Sequence, residues 1–279
     1  MGVMVAPISG PMLGGWLTEN YSWRWVFYIN LPIGIATLAV LWWLLPSRPV
    51  TRRPLDYTGY ILFALGLASL QLMLDRGHGE DWFASPEIIA EAFIAVGALW
   101  MFAIHLATAR NPLFSPALVR NRNFVTALCF MALMGIVLIA LAALLPPMLQ
   151  NLFGYPVFDT GLLMAPRGVG VLVSMFIASR LIARTGPRLL VGTGFAITAL
   201  TLWRMTGWSL EMGWEEVALT GFAQGLGMGL CFMPLNVIAF ATVTPRDRTD
   251  GAGLLNLFRS LGASAGISLL TTLLARNIQ

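Results

Sequence analysis

A succession of apolar runs, each about 20 residues long and separated by short clusters rich in arginine, proline and tryptophan, constrains this chain more than any other feature. A helix of about 20 residues crosses the roughly 30 Å hydrocarbon core of a bilayer. Backbone groups in lipid must be satisfied within the segment or in a closed barrel. The alternating pattern of barrel strands is missing, so the unbroken runs predict helices. They fall near 2–18, 25–45, 57–74, 88–107, 124–149, 160–181, 188–208, 216–243 and 251–275. This pattern predicts an all-α integral membrane bundle of about nine transmembrane helices.

Composition agrees: only 11% of the residues are charged and 57% are apolar, whereas a soluble domain carries about 25% charged residues. All 17 basic residues are arginine. Without lysine the chain cannot build a Walker A loop, so any energy coupling must come from elsewhere. Cys129 and Cys231 lie inside apolar runs and read as buried thiols. Residues 1–18 fit a secretory signal poorly, and the chain opens inside an apolar helix.

Arginine sets the expected orientation. With the N-terminus cytoplasmic, the inner loops hold Arg48, Arg52 and Arg53, then Arg110, Arg120 and Arg122, then Arg180, Arg184 and Arg188, then Arg246 and Arg248. The outer loops carry mainly acids, among them Asp81, Asp159 and Glu216. Trp16, Trp23, Trp25, Trp82, Trp208 and Trp214 fall at outer ends and Trp42 with Trp43 at an inner one, as an aromatic belt requires. An odd number of spans places the C-terminus outside.

Polar and small residues within the spans are the candidate functional positions. Arg167 and Arg259 lie about a third of the way into theirs, where an arginine costs roughly 2.5–3.5 kcal/mol and must face protein or water. Two readings stand for each: a cavity-facing role, or snorkelling and structural pairing with Asp159, Asp247 or Asp250. Gln224 and Asn236 either line a polar cavity or bond across helices. Gly221, Gly225 and Gly229 recur every four residues and predict one tightly packed face. Pro146, Pro147 and Pro234 are expected kinks. Asp75 with Arg76 reads as a solvated pair at a span boundary. His78 and His105 lie at opposite ends of spans, so no metal site is expected.

One stretch is more specific. Gly10-Pro11-Met12-Leu13-Gly14-Gly15 is followed by Trp23-Arg24-Trp25-Val26-Phe27-Tyr28-Ile29-Asn30 at the turn into the next span. This combination resembles the antiporter motif and following loop of major facilitator drug exporters, most closely the fourteen-span drug:proton antiporters of the EmrB/QacA type. Further matches are Leu74-Asp75-Arg76-Gly77, Asn121-Arg122-Asn123-Phe124, Ala165-Pro166-Arg167-Gly168, Phe232-Met233-Pro234-Leu235 and Asn256-Leu257-Phe258-Arg259.

The resemblance implies a major-facilitator-type bundle in which Gly10, Pro11, Gly14 and Gly15 are the antiporter motif of the family's fifth span. The chain then corresponds to family spans 5 to 13, with four spans expected before it and one after. Residues 1–45 become the last two spans of the N-terminal half, 46–122 two extra central spans, and 123–279 a C-terminal half lacking its last span. The implied activity is proton-coupled multidrug efflux of amphipathic or hydrophobic compounds from the bacterial inner membrane. The proton gradient is the energy source and no cofactor is implied. Expected partners are the bilayer, the transported compounds, a periplasmic adaptor and an outer-membrane channel, with no nucleic acid.

Competing classes are a non-transporting membrane scaffold and an integral membrane lipid-modifying enzyme. The second needs clustered acids, histidines or a nucleophile at one interface, and His78 with Asp81 is the nearest approach to one. The chain is therefore not expected to be an enzyme.

Overall fold

A computed structural model describes residue 10 and residues 13–44, 54–77 and 79–278. Among them the chain is helical, with no strand. A helical stretch at 13–20 precedes α1 (Trp25–Tyr28) and α2 (Asn30–Leu44). Then come α3 (Tyr57–Arg76), α4 (Pro86–Thr108), the short α5 (Pro116–Arg120) and α6 (Arg122–Asn151). The series ends with α7 (Val157–Thr185), α8 (Pro187–Met205), α9 (Trp214–Phe240) and α10 (Arg248–Ile278).

The helix boundaries have local causes. Asp56 caps α3 by accepting the Gly59 N–H at 2.9 Å. Pro86, Pro116 and Pro187 occupy first-turn positions, where the missing N–H costs nothing. Gly186 ends α7 with φ +78, a left-handed conformation that glycine adopts without steric cost. Pro146 and Pro147 in α6, Pro166 in α7 and Pro234 in α9 lie inside continuous helices, each removing one backbone donor.

Seven helical stretches among the described residues are long and apolar enough to cross a membrane: Trp25–Leu44, Tyr57–Arg76, Pro86–Thr108, Arg122–Asn151, Val157–Thr185, Trp214–Phe240 and Arg248–Leu274. Their ends fall within a few residues of the expected ones. The expected count was nine. The first expected span runs through residues 1–9, 11 and 12, outside the described residues. The other, α8, is a helix of 19 residues whose hydropathy is diluted by Arg188 and Arg204 near its ends and by Thr193, Thr198 and Thr201.

Burial varies along the series, from none in Trp25–Leu44 to half in Trp214–Phe240. In Trp25–Leu44 none is buried, and Trp42 and Trp43 are 88% and 84% exposed. Apolar surface on that scale needs an apolar solvent.

The chain divides into two compact units, one of residues 1–52 and 145–234, the other of 53–144 and 235–279. In the first, Leu145, Leu149, Leu163 and Val217 form a core joined by Met148, Met164, Trp208 and Met212. In the second, α3 and α4 form a hairpin. Gly66 lets α3 approach Leu99 of α4, and Phe63 packs on Phe102 at 4.7 Å and on Phe114 at 5.1 Å.

Candidate functional site

In the first unit, the predicted glycine face of α9 is a seam against α7. A Cβ on Gly225 would strike the Arg167 carbonyl, and one on Gly229 the Ser174 hydroxyl. One on Gly221 would lie 3.8 Å from Cβ of Arg167. The contact is reciprocal, because a Cβ on Gly170 of α7 would strike the Phe222 carbonyl. Gly227, on another side of α9, faces α8, where its Cβ would meet Thr198 Oγ1 at 2.5 Å. The sequence reading singled out Gly221, Gly225 and Gly229 but missed Gly170 and Gly194, which complete the packing.

Arg167 projects from this seam half-buried. Its Nη2 donates to Sδ of Met228 at 3.4 Å, a weak acceptor. Among the described residues Arg167 makes no ion pair. Gln224, one turn before Met228 on α9, is 0% exposed, and neither its Oε1 nor its Nε2 has a hydrogen-bond partner among the described residues. Thus the first unit holds, about a helical turn apart, a cation without a carboxylate and a buried amide without partners.

The remaining candidates are placed differently. Asn236 is exposed near the C-terminal end of α9. Arg259 is half-buried on α10, and its backbone forms a second close seam within the second unit. A Cβ on Gly135 of α6 would strike the Arg259 carbonyl, and Cβ atoms on Gly262 and Gly266 would strike Ala132 and Ile136. Asp247, expected as a partner for these arginines, accepts from the Thr244 hydroxyl at 2.7 Å. Arg204 pairs with Glu216 at 3.0 Å at an exposed helix end.

Of the antiporter motif, Pro11 lies outside the described residues. Gly10 and Gly14 have open space where a Cβ would stand, while Gly15 is buried, its Cβ position 3.1 Å from Phe158 Cα and from the Val157 carbonyl oxygen. Glu19 fixes the same contact by accepting the Phe158 N–H at 2.9 Å. Gly15 and Glu19 therefore dock the 13–20 helix on the first turn of α7.

Asp75 and Arg76 both end α3 exposed but have separate partners. Asp75 accepts from Gln71 at 3.0 Å, and Arg76 pairs with Glu87, with Glu80 at 3.8 Å. Gln71 also reaches Ser264 of α10. Glu91, inside α4, has a buried Oε2 with no hydrogen-bond partner among the described residues; an acid in an apolar run was the signal for it. His78 lies outside the described residues.

At the other end of the hairpin, Asp56 gathers donors from three segments. Besides Gly59, it accepts from His105 Nε2 at 2.9 Å and 3.0 Å and from the Leu113 N–H at 3.0 Å. The Gly59 N–H above all, followed by the His105 ring and the Leu113 N–H, holds the Asp56 carboxyl below its ordinary value against the opposing cost of burial. Sequence reasoning missed Asp56, although an aspartate just before an apolar run is an N-cap signal.

The family model described as Major Facilitator Superfamily matches residues 1–267. The chain is 36% identical over 274 residues to "Multidrug export protein EmrB" of Haemophilus influenzae, covering 97% of this chain and 54% of that protein. It is 35% identical over 276 residues to the protein of the same name in Escherichia coli K12, covering 98% and 54%. With "Fatty acid resistance protein FarB" of Neisseria gonorrhoeae the identity is 37% over 287 residues, covering 99% and 55%. The chain thus spans about half the length of the curated relatives it matches.

Proposed function

The chain belongs to the major facilitator superfamily, and from that premise we propose that its helices serve a multidrug efflux transporter in which inward proton flow drives amphipathic or hydrophobic compounds outward. The observation that carries this reading is identity of 35–37% over nearly the whole chain to proteins named for multidrug export and fatty acid resistance. Alternating access between two helical halves, with substrate near the midplane, is the mechanism such a bundle supports. The unpaired Arg167 and the unsatisfied Gln224 are the groups we assign to the substrate or coupling path. No bond-making step is part of this reading, so the protein acts as a carrier and not as an enzyme. The proton gradient is its energy source, without a cofactor.

We assign about nine spans, counting the 2–18 run and α8. At about 1.5 Å per residue α8 is about 28 Å long, close to the roughly 30 Å hydrocarbon core. The arginine-rich loops are placed in the cytoplasm, which puts the N-terminus of the chain inside and the C-terminus outside. Residues 1–45 and 123–279 belong to the two halves, and α3 with α4 to the extra central pair. A periplasmic adaptor and an outer-membrane channel are the partners this reading implies.

The test uses a pump-deficient bacterial host expressing this chain alone, or fused to the parts that a relative carries beyond the matched region. Dye efflux that depends on the pH gradient is expected from the fused form. Absence of efflux from both, with membrane insertion verified, removes the transporter reading.

A further inference from the structure

A cavity of about 710 Å³ opens among the start of α3, the loop after α4 and the loop leading into α10. It lies within the second unit and at the ends of three membrane-crossing helices. That is the level of lipid headgroups and not of hydrocarbon. Its volume falls in the roughly 300–1,000 Å³ range of small-ligand sites.

The lining is charged with both signs. Arg110 and Arg246 face the same space as Asp56, Asp247 and Asp250, between apolar walls of proline and leucine. Asp56 is already filled by its three donors. Asp247 accepts the Thr244 hydroxyl on Oδ2, one of about four acceptor positions of a carboxylate. Arg110 is exposed and makes no hydrogen bond or ion pair among the described residues.

This set of charges selects among ligands. A simple anion attracted by Arg110 meets the field of neighbouring carboxylates, and a simple cation attracted by Asp247 meets two guanidinium groups. A ligand carrying a phosphate and an amine a few bonds apart satisfies both. A primary ammonium donates three hydrogen bonds to carboxylates, whereas a quaternary ammonium donates none. Apolar walls at headgroup level suit a molecule whose remainder stays in the bilayer.

We propose that this cavity binds the headgroup of phosphatidylethanolamine, with the phosphate on Arg110 and the ammonium on Asp247. The proposal rests on the reading of the chain as membrane-spanning. It does not depend on transport, so the binding test and the efflux test fail separately.

The 279-residue chain is reconstituted in bilayers of equal parts phosphatidylethanolamine, phosphatidylcholine and phosphatidylglycerol, released intact, and weighed by native mass spectrometry for retained lipid. One retained phosphatidylethanolamine is expected, with Arg110→Gln and Asp247→Asn each weakening retention about tenfold, the size of one charge-assisted hydrogen bond. Arg110→Lys should retain the lipid, and Arg204→Gln, in the other unit, should change nothing; both guard against loss through misfolding. Equal retention of phosphatidylcholine overturns the ammonium contact, and preference for phosphatidylglycerol reduces the cavity to an anion site. Soluble phosphoethanolamine displacing the lipid at comparable concentration overturns the lipid as the source of the headgroup. Retention unaffected by both charge-removing variants places the lipid elsewhere.

Discussion

Nε2 of His105, in the last turn of α4, lies 2.9 Å and 3.0 Å from the two carboxylate oxygens of Asp56, the N-cap of α3. This contact closes one end of the α3–α4 hairpin, as Arg76 with Glu87 closes the other.

Asp56→Asn is expected to loosen the start of α3, since loss of an N-cap costs about 0.5–2 kcal/mol. The folded carboxyl titrates below its ordinary value. Its contribution is therefore present at neutral pH and lost as pH falls through the depressed folded value. Thermal unfolding in detergent between pH 7 and the acid limit should show an acid limb that Asp56→Asn flattens. Identical limbs would dissociate the titration from this residue.

Replacing Gly225 by alanine is expected to destabilise the first unit by about 1–3 kcal/mol, because the new methyl meets a backbone carbonyl on α7 that cannot step aside. Gly192→Ala, whose Cβ would enter open space on α8, is the matched control and should be neutral or stabilising. Melting temperatures of the two variants measured side by side decide the point.

Arg167→Met should leave stability unchanged or raise it, since the guanidinium has only a thioether as hydrogen-bond partner in a membrane-crossing helix. The same change should lower efflux at least about tenfold if the arginine meets substrate or a coupling group, the loss of about one charged contact. Full efflux by the Met variant removes Arg167 from the transport path.

Ser264→Ala should cost about 0.6 kcal/mol, the average for a hydrogen bond between membrane helices. A double-mutant cycle with Gln71→Ala should recover a coupling of that order, because the two side chains meet between α10 and α3. Additive effects would mean the contact contributes nothing.

The sequence was most informative where one physical rule acts alone. Helix ends follow from apolar run length to within a few residues, whereas the caps that fix them, Asp56, Pro86 and Gly186, came from the structure. The α9 glycine face was legible because period four places Gly221, Gly225 and Gly229 on one side. Contacts between distant segments were not. Asp56 and His105 are 49 positions apart, and nothing local marks them as partners. Within the motif of Gly10, Pro11, Gly14 and Gly15, it is Gly15 that carries the described contact, because the helix turns that side toward Phe158. Glu91 escaped notice inside an otherwise apolar run. The hydropathy of α8 marks its limit as a guide, since two arginines outweigh an otherwise apolar 19-residue helix.

The α7–α9 seam also has a genetic consequence. Any change at the first or second base of a glycine codon that still encodes an amino acid introduces a side chain with a Cβ. At Gly170 and Gly225 that atom would land on the opposing helix's carbonyl oxygen. These two codons are therefore held more closely to silent third-base drift than that of Gly192, where a small apolar replacement enters open space.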